Sequence, residues 1–328
     1  MKKIIALLLA LTFVFSLAAC NGDGNEQETT TAATFEYETA KPVYVSKYGV
    51  LYGPFGLPST AIATDRSYAF DVEFFSSIGD VYDKLKDGSL EIGTLPIREA
   101  VKLYNETNGA VKILAASNSS FVHILQKGDS VKTLADLNGK KIYALGENTS
   151  NDKIMKHLLA KAGVSAEIEY VDTYDNLVAK EDAEIVIMPE PNASKLVYTS
   201  KMEFKPAIHI QNAWKELFGF DILQACIVAR TDYIEAHPDA VADFLTYYEV
   251  SVNFMNDTDL RKGSIPALLL NNKFFSNAEH SLMSVKMSGL IFMTGDDLKA
   301  AVAANAKEMT LYDPEMADAK IPSDDICY

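Results

Sequence analysis

Residues 132–164 read KTLADLNGKKIYALGENTSNDKIMKHLLAKAGV. "KKIYALG" is a short apolar strand. "GENTSND" (146–152) is a turn carrying Asn148, Thr149, Ser150 and Asn151, all residues that accept from the free N–H groups of a helix start. "SNDKIMKHLLAKAG" has helical spacing and stops at Gly163, and "AEIEYV" is a strand again. Strand, turn, helix, strand is the unit of a sheet with parallel strands and helices on its faces.

The same rhythm runs outward from this stretch. Downstream, "YDNLVAK" is a helix, "AEIVIMPEP" a strand and "NASKLVYTS" a helix. Upstream, "AFDVEFF" (69–75) is a strand, followed by a helix with Ile78, Val81, Tyr82 and Leu85 on one face. "LEIGTLP", "IREAVKLYNETNG" and "AVKILAAS" continue as strand, helix and strand. Two long strands interrupt the pattern, "FVHILQKGD" (121–129) and "FDILQACIVA" (220–229). The expected fold is α/β with two lobes, each a mostly parallel sheet flanked by helices, joined where the chain crosses between them. Residues 41–119 and 222–328 make the first lobe and 120–221 the second. Ligands of such sheets sit at the carboxyl ends of the strands, so two facing edges make a cleft that closes by hinge motion.

The termini and composition locate the chain. Lys2 and Lys3 precede an apolar run from Ile4 to Phe15, then "SLAAC". This is the layout of an export signal, and sixteen residues from Ile4 to Ala19 fall short of the roughly 20 that span a bilayer. Leu17-Ala18-Ala19-Cys20 looks like a bacterial lipobox, which implies residues 1–20 as a lipoprotein signal peptide and acylation of Cys20 by palmitate-type chains. Each buried methylene contributes about 0.8 kcal/mol, so several chains hold a protein at a membrane. Residues 21–40 are poor in large apolar side chains and read as a disordered tether, reaching about 70 Å when extended. The net charge of −15 becomes about −17 when Lys2 and Lys3 leave with the signal, which disfavours nucleic acid as a partner. Cys226 and Cys327 read as two thiols rather than a disulfide framework, and no Cys/His spacing suggests a metal or cofactor site.

Taken in order behind the lipobox, four further patterns resemble one family. They are "GPFGLP" (53–58), "KLKDGSLEIGTLPIREA" (84–100), the 132–164 stretch with its "L-x-DLxGKxI" and "LLxKAGV" parts, and "MPEPNAS" (188–194). From about Val45 to Tyr248 the chain is similar to the substrate-binding lipoproteins of ABC importers, in the nitrate, sulfonate, taurine and thiamine-precursor group with the type II periplasmic-binding-protein fold. The resemblance implies a monomer on the extracytoplasmic face of the cell membrane, partnered by a permease and its ATPase, with no cofactor and no catalytic residues.

The cleft candidates follow from the loops. In "YGVLYGPFGLPSTA" (48–61) Gly53 and Gly56 suit a tight approach and Pro58 suits a first helical turn. That leaves Pro54, Phe55, Gly56, Leu57 and Ser59 as a binding loop without reacting groups. Leu95 and Pro96 end a strand, Ser117 and Asn118 precede the first crossing, and Asn148, Thr149 and Ser150 open a helix. Met188, Pro189 and Glu190 end another strand. Arg98 reads chiefly as a charge paired to Asp or Glu, and His123 is the one histidine expected near the cleft. A hydrolase reading of "GDS" (128–130) lacks an Asp-x-x-His pair after His280, so Asp129 or Ser130 reads as a helix cap. The pyrimidine-synthesis enzymes that share this fold carry a cysteine-rich motif absent here. Pro54, Pro58 and Pro96 remove N–H donors, while Glu147 and Glu190 add negative charge. That balance suits a neutral or cationic, partly apolar ligand such as a thiamine pyrimidine precursor better than the alternative, an aliphatic sulfonate, taurine or nitrate-type anion.

Overall fold

A computed structural model describes residues 44–65, 67–257, 263–316 and 324–328. The signal peptide, Cys20 and the tether lie outside the described residues. Four strands open the chain: β1 (Ser46–Leu51), β2 (Phe70–Phe75), β3 (Ile92–Pro96) and β4 (Val111–Asn118). Five more make a second sheet: β5 (Val122–Lys127), β6 (Lys141–Leu145), β7 (Glu167–Val171), β8 (Ile185–Pro189) and β9 (Phe204–Ile208). The chain then returns with β10 (Ala225–Arg230) and β11 (Leu290–Met293). The first sheet has the order β11-β4-β10-β3-β1-β2 and the second β7-β6-β8-β5-β9.

The pairing explains the crossings. β1 runs parallel to β2 and β3, and β10 inserts antiparallel between β3 and β4. In the second sheet β6 runs parallel to β7 and β8, and β5 inserts antiparallel between β8 and β9. Each sheet is therefore mostly parallel in strand direction, and a strand that follows a crossing is the reversed one. The lobes join where β4 passes to β5 and where the segment between β9 and β10 returns.

Side chains on successive strand residues go to opposite faces. Cys226 and Val228 join Leu85, Leu103 and Leu298 on one face of the first sheet; Ile227 and Ala229 join Tyr48, Phe244 and Leu269 on the other. In the second sheet Ile124 packs with Leu158 and Trp214, and Leu125 with Val186 and Leu196. Each such side chain contributes about 1.5–3 kcal/mol on burial. Among the described residues no helix is long and apolar enough to cross a membrane.

Three local expectations change. The 220–229 strand is shorter, because before Ala225 the Asn305 side chain replaces the ladder: its Oδ1 accepts from Leu223 N–H (3.0 Å) and its Nδ2 donates to Asp221 O (2.9 Å). The cap in "KGDSVKTLADL" is neither Asp129 nor Ser130. It is Thr133, whose N–H donates to Asp136 at 2.8 Å before the 3-10 turn Leu134–Leu137, where the Thr-x-x-Asp spacing allows that reach. β9 was not anticipated, since Pro206 breaks the apolar alternation; as the outermost strand of its sheet, β9 tolerates a residue without an N–H.

Candidate functional site

A cavity of about 370 Å³ lies between the lobes at the carboxyl ends of the strands. β1 leads to Phe55, β3 to Pro96–Arg98, β6 to Thr149–Asn151 and β8 to Pro189 and Glu190. Phe121, Leu223 and Gln224 come from the two crossings. Asn305, Met309, Tyr312 and Asp313 come from the helix Gly295–Tyr312 and the residue after it. The volume suits a small molecule.

The turn after β1 shows how sequence sets the wall. Gly53 has φ +93°, in the left-handed region. Gly56 has no room for a side chain, because a Cβ there would stand 2.5 Å from Leu51 O. Phe55 lines the cavity and meets Phe121 edge to face at 5.3 Å. Leu57 instead enters the core and is fully buried. The binding-loop expectation therefore narrows to Phe55. Pro54 and Gly56 are buried beneath it, and Ser59 is buried with its hydroxyl bonded to Tyr48 Oη (2.6 Å).

The other candidates divide likewise. Pro96 lines the cavity, while Leu95 is fully buried on the opposite side of the strand, in the core. Ser117 and Asn118 do not reach it. Ser117 donates to Asn118 Oδ1 (2.8 Å), and Asn118 Nδ2 donates to Pro54 O (3.2 Å) and Ser288 O (2.9 Å), bracing the wall from behind. Asn148 forms the turn, with φ +61° and its N–H on Asp152 at 2.8 Å. Thr149 lines the cavity while its Oγ1 accepts from Asp152 N–H at 3.3 Å as the helix cap. Ser150 lines it with no hydrogen-bond partner for its hydroxyl among the described residues. Met188 is fully buried, a consequence of strand alternation, and Glu147 is exposed away from the cavity. His123 lines a different cavity, with Nε2 on Met287 O at 2.7 Å.

Charge at the site is already matched. Arg98 Nε donates to Asp313 Oδ2 (2.6 Å), and its other nitrogens contact Glu99 and Glu315. Lys153, on the helix Ser150–Lys161, donates to Asp313 Oδ1 at 2.7 Å. Burial pushes the Asp313 carboxyl up, but Lys153 and Arg98 outweigh it and hold the group below its usual value. Glu190 is 5% exposed; Ser194 N–H (2.9 Å), Ser194 Oγ (2.8 Å) and Ser284 Oγ (2.6 Å) donate to it. Burial prevails over these donors and pushes its carboxyl up to about 7.

Sequence reasoning named neither Gln224 nor the residues of the helix Gly295–Tyr312 as site residues. One signal was available. Leu298, Ala301, Val302, Asn305, Ala306 and Met309 form an apolar stripe at helical spacing, and Asn305 is its one polar member.

A family model described as NMT1/THI5 like matches residues 87–258, more than half of the chain. The chain belongs to the NMT1/THI5-like family. A Brucella abortus protein provisionally named a binding protein is 24% identical over 260 residues, covering 77% of this chain and 73% of that one. Among solved structures, an ABC transporter protein from Parabacteroides distasonis superposes with a TM-score of 0.69 at 15% identity, covering 87% of this chain and 99% of that one. The periplasmic aliphatic sulphonate binding protein SsuA from Escherichia coli gives 0.63 at 16% identity, covering 87% and 96%. The alkanesulfonate-binding protein SsuA from Xanthomonas axonopodis pv. citri, bound to MOPS, gives 0.58 at 15%, again covering 87% and 96%. At these identities the likeness establishes that this family member has the periplasmic-binding-protein fold.

Proposed function

We propose that the protein is the solute-binding component of an ABC importer, held at the extracytoplasmic membrane face by lipid on Cys20. It captures a neutral or cationic, partly apolar molecule between its lobes and delivers it to a permease and its ATPase. The reading is of a binding protein rather than an enzyme.

One observation carries the ligand class: the cations at the cavity are already engaged by carboxylates. Arg98 meets three and Lys153 shares Asp313. A sulfonate or nitrate would have to break these pairs. Phe55 and Phe121 offer aromatic surface instead, and Ser150 and Tyr312 offer hydroxyls without partners among the described residues. A flat heterocycle of the pyrimidine-precursor kind fits that set. Native mass spectrometry of the exported protein, with thermal shifts against pyrimidine precursors, taurine, alkanesulfonates and nitrate, tests it. A true ligand stabilises by about 2.7 kcal/mol at a hundredfold excess over Kd. Stabilisation by a sulfonate or nitrate alone overturns the ligand class; no bound or stabilising molecule of any class overturns the solute-binding role. Retention at membranes and acyl mass that survive Cys20→Ala overturn the lipid anchor.

A further inference from the structure

Gln224 stands at the end of the second crossing, directly before β10, and is 4% exposed. Its main chain belongs to the first lobe. Its N–H donates to Asn118 O and its carbonyl accepts from Ile97 N–H, both at 3.1 Å. Its side chain goes elsewhere. Oε1 accepts from Phe121 N–H at 2.8 Å, in the first crossing, and Nε2 donates to Asn151 Oδ1 at 3.0 Å, on the first turn of the second lobe's helix Ser150–Lys161. Phe121 O in turn accepts from Glu190 N–H at 2.9 Å, at the end of β8. A string of hydrogen bonds, Asn151 to Gln224 to Phe121 to Glu190, therefore follows the cavity wall. All four residues line the cavity, and the only one rooted in the first lobe is Gln224.

We infer that Gln224 is a positioning residue that holds the lobes in their closed arrangement and ties closure to occupancy of the cavity. The inference rests on the solute-binding reading above. Its chemistry is specific: one primary amide presents an acceptor to one crossing and a donor to the opposite lobe from a single stem. Both partners are buried or half-buried, so opening the lobes leaves Phe121 N–H or the Gln224 amide to be satisfied by water. A molecule that bonds the Asn151 amide acts on the same link.

Distances between nitroxides at Val178→Cys and Val250→Cys, in a full-length chain carrying Cys20→Ser, report the lobe separation. Both sites are exposed, on helices of the second and first lobe, and the native Cys226 and Cys327 are buried. Gln224→Met keeps length and volume but loses both bonds, so the closed-to-open ratio should fall about tenfold or more. Gln224→Glu keeps the acceptor for Phe121, and Asn151 turns its amide to donate to the second oxygen, so the closed population should persist. A role in packing alone gives the reverse: Met is tolerated and the buried charge of Glu opens the lobes. That reversal, identical distributions in all three proteins, or a wild type with no closed population overturns the inference. Should Gln224→Met fail to fold, Asn151→Ala cuts only the interlobe bond, and an unchanged closed fraction there overturns it equally. Native mass spectrometry of the same samples reads retained solute independently, so failure of the solute-binding role is seen separately from failure of the link.

Discussion

The lobes meet on two flanks of the cavity, and the flanks are built from different chemistry. At the helix Gly295–Tyr312 the contacts are ionic: Lys153 to Asp313 at 2.7 Å and His157 to Glu308 at 2.6 Å, with Glu315 nearby and 68% exposed. At the helix Ala278–Met287 they are mostly hydroxyl, imidazole and one deeply buried carboxyl. Ser284 donates to Glu190, Ser194 Oγ meets His280 Nε2 at 3.0 Å, and His123 Nε2 meets Met287 O. Ser194 is fully buried and Ser284 very nearly so. Partly solvated ions exchange one another for water at little cost, and salt screens them. Buried polar groups lose far more when a partner leaves. The ionic flank is therefore built to part and re-form, and the buried flank to stay shut and act as the pivot.

The largest test of that contrast is pH. The raised carboxyl of Glu190 stabilises the fold below its usual value, and that stability is lost as pH rises through about 7. His123 runs the other way. Burial pulls it down to about 4, so its stability is present above its usual value and lost as pH falls toward 4. Each shift is worth about 3 kcal/mol across its window. The two oppose one another between about pH 4.5 and 6.5, and the half-buried His280, also pulled down by burial, adds to the histidine side. Glu190→Gln should unmask the histidine slope, with melting temperature climbing from pH 4.5 to 6.5 far more steeply than in the wild type. Parallel profiles would show that the buried flank does not titrate.

Next in size is Ser284→Val, which takes a donor from the buried Glu190 and should cost about 1–3 kcal/mol in denaturant unfolding. A loss below about 0.5 kcal/mol would make the two flanks alike. Phe55→Ala sits between the flanks; it should weaken a retained heterocycle about tenfold by calorimetry while leaving the melting temperature of the empty protein nearly unchanged. The smallest effect belongs to the ionic flank. Lys153→Met should cost about 1 kcal/mol or less at low salt, and the difference from wild type should vanish at 1 M salt. A salt-independent loss would place this pair with the buried flank.

Much of the architecture was legible, because each element announces itself locally. The helix Ser150–Lys161 with Thr149 as cap, and Ile97–Glu106 opening at the end of β3, carry their period and their ends within a dozen residues. Phe55, Pro96, Thr149, Ser150, Pro189 and Glu190 were placed near one another for a related reason, since each follows a strand whose carboxyl end must face the cleft. Neighbours within those loops were not separable by the same reasoning. Phe55 and Leu57 differ by two positions, yet one lines the cavity and the other is core.

The sequence by itself determined the α/β rhythm, the two crossings and the loops that reach the cleft, since periodicity and turn chemistry act over a few residues. Only the tertiary structure decided which side chains of those loops meet. Asp313 lies 215 positions from Arg98 and 160 from Lys153, yet binds both. Gln224 lies 73 positions from Asn151 and joins it across the cleft. Such pairs leave no mark on local pattern, because they depend on how two sheets face one another and on which polar groups burial leaves without water.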